Sequence, residues 1–303
     1  MSIAIEQSAP PQTVPGKLAL LAAVIKISHT VFAMPWAVLA TFLAARGVPK
    51  LGQLGLILLC MITARTVAMA ANRLLDAELD ARNPRTARRA IPSGGLTRDF
   101  YIVTLVACAI AFVATTAIFW TAYQNPWPLL LSVPVLAFVS AYPLLKRFSR
   151  LCHYYLGAAL ALAPVCAWIA IAGTLAWPPV LMAVAVLAWT AGFDVIYACQ
   201  DYAADVACGV FSVPAKVGIA KALWISRATH VVCVAALIAL GLVSRELATL
   251  YFVGVAIAIG LLVIEHAIVK PSDLSKVGLA FFTINGIVSV VMGTLGVVDV
   301  LLR

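Results

Sequence analysis

The sequence predicts an all-α, polytopic membrane bundle of about nine transmembrane helices, and three features lead there. Hydrophobic residues make up 64% of the 303 and charged residues only 11%, a composition outside that of soluble globular domains. The apolar residues fall in long unbroken runs; roughly 20 of them carry a helix across the hydrocarbon core, whereas a membrane barrel shows short segments of alternating polarity. Gly, Pro or charge separates one run from the next, which sets the number of spans and their approximate limits.

The elements follow in chain order. Residues 1–16 are polar, carry proline and Glu6, and lack the basic start and small-residue cleavage site of a signal peptide, so they read as a short disordered cytoplasmic tail. Residues 17–303 then form a single transmembrane domain. The first span, 18–45, stops at the polar stretch from Arg46 to Lys50. Further spans lie at 51–77, 99–121, 126–145, 151–174, 177–202, 220–243, 247–268 and 277–300. With the N-terminus in the cytoplasm, the connections after even-numbered spans are cytoplasmic. They carry Arg82, Arg85, Arg88, Arg89, Arg98, Lys146, Arg147, Arg150, Lys216, Lys221, Arg227, Lys270 and Lys276, against Arg46, Lys50 and Arg245 on the other side. That bias is the positive-inside signature, and it accounts for the net charge of +9 without a nucleic-acid partner. The expected location is a bacterial inner membrane. The seven cysteines lie scattered in apolar runs with no CxxC, which points to neither a disulfide framework nor a zinc site.

The acidic residues carry the chemistry. Of twelve Asp and Glu residues, six (Asp76, Glu78, Asp80, Asp194, Asp201 and Asp205) fall in two short segments. Ionisable groups at membrane depth cost several kcal/mol unless they face a polar cavity or a partner. Asn72, Asp76 and Asp80 recur at i, i+4 and i+8, which on a helix stacks their oxygens along one face. Asp194, Asp201 and Asp205 recur at i, i+7 and i+11, again on one face. Like charges so spaced destabilise a helix unless a cation neutralises them. Mg²⁺ suits the task, since it takes one or two carboxylates, keeps waters and shares a substrate phosphate. Two such faces meeting across a bundle would hold Mg²⁺ and, through it, a diphosphate. The bland alternative is that the acidic residues solvate two helix ends.

The same residues resemble a known pattern. Asn72, Asp76 and Asp80, running into Asn83-Pro84-Arg85-Thr86-Ala87-Arg88-Arg89-Ala90-Ile91-Pro92-Ser93-Gly94, resemble the NxxxDxxxD motif and following loop of the UbiA superfamily of membrane prenyltransferases. Asp194 to Asp205, continuing into Gly209, Ser212, Pro214 and Gly218, is similar to that family's second Asp-rich motif. Tyr142 to Arg147 looks like its YPxxKR loop, and Lys26 to Phe32 resembles the first-helix entry of its 4-hydroxybenzoate-type branch. Arg73 after the Asn, Ala90 in place of a proline and the uncharged Ala203-Ala204 pair depart from the usual pattern.

The resemblance implies a bundle around a central cavity that opens toward the cytoplasm and laterally to lipid, and an Mg²⁺-dependent transfer of a prenyl group from a prenyl diphosphate to an aromatic acceptor. Asn72, Asp76, Asp80, Asp201 and Asp205 would ligate the metal. Lys26, Arg65, Arg73, Lys146 and Arg147 would bind substrate, the arginines and Lys146 as a phosphate clamp. Asp194, about two turns deeper than Asp201, would orient or deprotonate a phenol, or alternatively hold Lys26 or a tyrosine. Tyr142, Tyr197 and Tyr202 would shield an allylic cation with their ring faces, or simply pack. His29, His153, His230 and His266 are too dispersed for a metal site and receive no role. The acceptor leans toward a quinone-pathway hydroxybenzoate-like acid, with naphthoate, haem and chlorin as alternatives. A secondary transporter is the rival from another class, although its carboxylates would sit nearer the midplane beside broken helices. A CDP-alcohol phosphotransferase is disfavoured because neither acidic segment contains Asp-Gly.

Overall fold

The computed structural model describes residues 30–303, so Lys26, the tail and the start of the first span lie outside the described residues. The helices are α1 (Thr30–Ala45), α2 (Leu51–Arg82), α3 (Arg98–Tyr123), α4 (Trp127–Leu145), α5 (Cys152–Ala172), α6 (Trp177–Ala198), α7 (Tyr202–Cys208), α8 (Val213–Val217), α9 (Ile219–Val243), α10 (Thr249–Ile268) and α11 (Val277–Leu301). Among the described residues eight helices are long and apolar enough to cross a membrane, α6 and α7 counting as one, and the 16 described residues of α1 belong to a ninth apolar helix. The bundle is all-α, as the composition requires.

Helix α6 is the axis of the core. It packs between α5 and α9, while α1 lies between α5 and α11, α10 rests on α11, and α2, α3 and α4 pack on one another, with α4 and α2 also meeting α5. Met182, Ala185, Val186, Trp189 and Phe193 carry α6 into the main buried cluster. Lipid tails are as apolar as leucine, so helix association here depends on close packing, and small residues permit it. A Cβ on Gly157 of α5 would lie 2.4 Å from the Leu187 carbonyl oxygen of α6. One on Gly192 of α6 would lie 2.2 Å from the His230 imidazole of α9.

Polar side chains close the helix ends that sequence periodicity leaves open. Asp299 of α11 accepts hydrogen bonds from the backbone N–H groups of Ala248 and Tyr251, at 2.5 and 3.0 Å, and so caps α10. Asn125 donates to the Ile169 and Ala170 carbonyls at the end of α5. Helix α11 contains a π-turn at Ala280–Ile284, where the Asn285 amide donates to the Ala280 carbonyl at 3.0 Å and to Glu265 Oε1 at 2.8 Å.

Two limits differ from the sequence expectation. Helix α2 continues past residue 77 to Arg82 because Ala, Leu, Glu and Arg favour helix even where the chain has stopped being apolar. The sixth span does not run on as one regular helix, since a tight 3₁₀ turn at Cys199–Asp201 separates α6 from α7. Each residue of such a turn advances by about 120° rather than about 100°, so Asp201 and Asp205 are rotated by about 60° from the face that Asp194 occupies.

Candidate active site

The chemistry gathers at the end of the bundle where α2 stops, α5 starts and α6 breaks. On α2 the expected face is present: Asn72 Nδ2 donates to Asp76 Oδ2 at 2.7 Å, one helical turn away. Asp76 and Asp80 are buried, at 1% and 5% exposure, so they do more than solvate a helix end. Glu78, between them, is exposed. Lys146, from the connection after α4, donates to the same Asp76 oxygen at 2.6 Å. The other oxygen, Oδ1, is buried and has no hydrogen-bond partner among the described residues.

The loop after α2 folds back over both acidic segments. Arg89 places one nitrogen 2.7 Å from each oxygen of Asp80, and the Thr86 hydroxyl donates to the Asp80 backbone carbonyl. Asp80, expected among the metal ligands, therefore has its carboxylate engaged in anchoring the loop. Arg85 reaches the second segment, donating to Asp201 at 2.8 and 2.5 Å and to the Tyr197 hydroxyl at 2.9 Å, while Asn83 donates to Asp201 at 2.9 Å. Burial works to lower the Arg85 pKa, but the Asp201 carboxylate and the Tyr197 oxygen more than offset it and hold the guanidinium above its ordinary value.

The two segments thus share one polar cleft. Arg89 acts electrostatically on Asp76 as well as Asp201, and Lys146 on Asp205 as well as Asp76. Asp205, half-buried on α7, lies beside the Ser212 hydroxyl. Among the described residues no three acidic, His or Cys side chains converge as a ready-made metal cage.

Asp194 sits apart from this layer. Its Oδ2 is 2.7 Å from His153 Nδ1, and His153 Nε2 accepts the Val213 backbone N–H at 3.1 Å. Tyr142 lies between the levels, within electrostatic reach of Arg65, Arg73, Asp76 and Asp194. Arg65 and Arg73 each keep a buried Nε without a partner among the described residues, and Arg73 also donates to Asn72 Oδ1 at 3.2 Å. Below lies an aromatic wall in which Phe193 meets Phe32, Trp189 and Phe281 at centroid distances of 5.6, 5.0 and 5.2 Å, with Tyr197 4.1 Å from Phe281.

Of the remaining expected residues, Arg147 donates to the Leu75 backbone carbonyl and is exposed, so it braces α2. Tyr197 has its ring face covered by Arg85 at 5.1 Å, and Tyr202 is exposed at the start of α7. Sequence reasoning missed Asn83, Arg85, Arg89 and His153 as direct partners of the carboxylates. The loop motif that follows α2 carries the first three, and its charge was read only as a topology signal. Nothing local marks His153, whose partner lies 41 residues away. All seven cysteines are free, as their spacing suggests.

Residues 33–287 match the UbiA prenyltransferase family. The 4-hydroxybenzoate octaprenyltransferase of Nitrosospira multiformis is 26% identical over 263 residues, 86% of this chain and 88% of that protein. Its counterpart from Cronobacter sakazakii is 30% identical over 252 residues, covering 81% and 82%. Among solved structures, the apo UbiA homologue from Aeropyrum pernix superposes with a TM-score of 0.80 at 30% identity, covering 90% of this chain and 98% of that one. The Archaeoglobus fulgidus homologue bound to GPP and Mg²⁺ shares the fold, with a TM-score of 0.68 at 18% identity over 93% and 99% of the two chains.

Proposed function

Because the chain belongs to the UbiA prenyltransferase family, and its likeness to 4-hydroxybenzoate octaprenyltransferases over most of its length makes it an aromatic prenyltransferase, we propose that it uses Mg²⁺ to transfer a prenyl group to a quinone-pathway hydroxybenzoate-like acid. The observation that carries this reading is the convergence of both acidic segments on one cleft, cross-braced by Lys146 and Arg85, with one buried oxygen of Asp76 left unpartnered.

The donor set fits a hard cation. Asp76 Oδ1 lacks a partner among the described residues, and the oxygens of Asn72 and Asp205 stand beside it, with Asp201 contributing only if Arg85 lets go and Asp80 only if Arg89 does. One or two carboxylates beside open positions is how Mg²⁺ is held when a phosphate completes its shell, so a closed protein cage is not required. When bound, the metal neutralises the diphosphate and makes pyrophosphate a better leaving group. The homologue bound to GPP and Mg²⁺ supports the same pairing here.

The chain's own residues do the rest. Lys146 and Arg85, which neutralise Asp76 and Asp201 in the metal-free protein, are the cations that grip the departing phosphates, with Arg73 behind them. The C–O bond of the prenyl diphosphate breaks with its electron pair leaving on pyrophosphate, and the developing allylic cation faces Tyr142 and the aromatic wall. Asp194 accepts the phenol proton while the neighbouring ring carbon bonds the prenyl carbon. The dienone then loses its ring proton to the released pyrophosphate, and Asp194 returns the phenol proton. Arg65, within electrostatic reach of Tyr142, is assigned here to an acid group on the acceptor rather than to the phosphate clamp.

Residues 17–303 act as one catalytic unit, and the basic connections support a cytoplasmic orientation of the cleft and the N-terminus in a bacterial inner membrane. The test incubates membranes containing the protein with geranyl to octaprenyl diphosphates and a panel of aromatic acids and identifies products by mass. Prenylated 4-hydroxybenzoate is expected, with none formed after chelation of Mg²⁺. Product from naphthoates or tetrapyrroles alone would overturn the acceptor assignment.

A further inference from the structure

His153 lies outside both acidic segments, yet it is the hydrogen-bond partner of the carboxylate assigned to the acceptor. It is buried at 4% exposure, at the first turn of α5. The backbone N–H of Val213 can only donate, so the nitrogen that it meets, Nε2 at 3.1 Å, must offer a lone pair. The ring proton is therefore on Nδ1, and it points at Asp194 Oδ2 across 2.7 Å. A backbone group thus selects the tautomer, and the tautomer in turn calls for an acceptor oxygen on Asp194. Among the described residues, Asp194 Oδ1 takes no hydrogen bond. The Asp194 side chain is 22% exposed where the His153 side chain is 5%, so the carboxylate faces the cleft and the imidazole stands behind it.

The support behind His153 is itself tied down. Val213 follows Ser212, whose hydroxyl caps α8 by accepting the Ala215 N–H. Phe211 donates its N–H to the Lys146 carbonyl at 2.8 Å and accepts the Cys152 thiol at 3.5 Å. Residues 211–213 therefore lock the start of α5 to the segment that follows Asp205.

We propose that His153 is a positioning residue for the acceptor step, holding Asp194 Oδ2 so that Oδ1 remains a correctly aimed proton acceptor for the phenol. This rests on the reading of Asp194 given above. Partners of this kind behind a reacting group typically change rates by about 10- to 100-fold. His153→Ala is expected to lower kcat for acceptor prenylation by about that factor, with the KM for prenyl diphosphate unchanged within about twofold. His153→Asn, whose amide nitrogen can stand in for Nδ1, is expected to recover most of the loss.

The measurement is steady-state prenylation of 4-hydroxybenzoate by detergent-purified wild type and both variants, with monodispersity on size exclusion as the check of folding. Unchanged kcat in His153→Ala overturns the proposal. So does an equal defect in both variants accompanied by weakened diphosphate binding, which marks a purely structural role. A wild type that releases pyrophosphate but prenylates no phenol removes the underlying reading, an outcome distinct from a failure confined to the variants.

Discussion

The two acidic segments were alike in sequence and are unlike in structure. The first lies on an unbroken helix, where the 3.6-residue repeat brings Asn72 and Asp76 to 2.7 Å. The second crosses a 3₁₀ turn, so Asp201 and Asp205 go to the shared cleft while Asp194 stays with His153. The neutralising cations differ too. Asp76, at 1% side-chain exposure, depends on Lys146, whereas Asp201, at 14%, is met by Arg85 and Asn83 from the loop that follows the first segment. A regular helix keeps a motif together at one level of the cleft; a break lets one short segment serve two levels, which the proposed function assigns to phosphate above and acceptor below. Both arrangements satisfy the same constraint, that a carboxylate withdrawn from water needs a partner.

The largest expected effect tests what the segments share. Asp76→Ala and Asp201→Ala should each lower turnover by about a thousandfold or more, since each removes a carboxylate proposed to hold the Mg²⁺ that would neutralise the leaving pyrophosphate. Both proteins should still insert in membranes, which separates a lost site from a lost fold. Full activity in either variant, measured as prenylated product by mass, would end the symmetry between the segments.

The fold and the members of the cleft were legible to different degrees. Span number, approximate limits and the pairing of Asn72 with Asp76 follow from apolar run length and helical periodicity, both local properties. The break at Cys199–Asp201 has no comparable signal, because the residues around it are ordinary helix formers and the contacts that accompany it come from Arg85, 116 residues away. His153 was invisible for the same reason: a histidine in an apolar run acquires meaning only when α6 is packed against α5. Tyr202 is the reverse case, a residue that the family resemblance offered as a cation shield, with plain packing as the alternative, and that the structure leaves exposed.

A smaller effect separates the two braces. Lys146→Ala and Arg85→Ala should each raise the KM for prenyl diphosphate by about tenfold, the loss expected for one hydrogen bond to a charged group. Their stabilities should diverge. Removing Lys146 leaves a fully buried carboxylate with only the Asn72 amide, whereas removing Arg85 leaves Asp201 partly exposed and still bonded to Asn83. Thermal unfolding in detergent without Mg²⁺ should therefore show the larger drop in Tm for Lys146→Ala. Equal drops would mean that burial does not distinguish the two carboxylates.

The smallest effect concerns Asp80, which shares a helix face with Asp76 but differs in its partners. Arg89 occupies both oxygens of Asp80 at 2.7 Å, and Thr86 holds the carbonyl of the same residue, so the geometry gives it to the loop before it gives it to a metal. Asp80→Asn preserves shape and one acceptor oxygen while removing the charge that Arg89 needs. Turnover should fall by no more than about tenfold, with a Tm lower by a few degrees as the loop loosens. Asp76→Asn, the same chemical change one turn earlier, should instead approach the loss seen with alanine. If Asp80→Asn proves as damaging as Asp76→Asn, at unchanged Tm, then Arg89 releases Asp80 during turnover and the whole face acts as one ligand set.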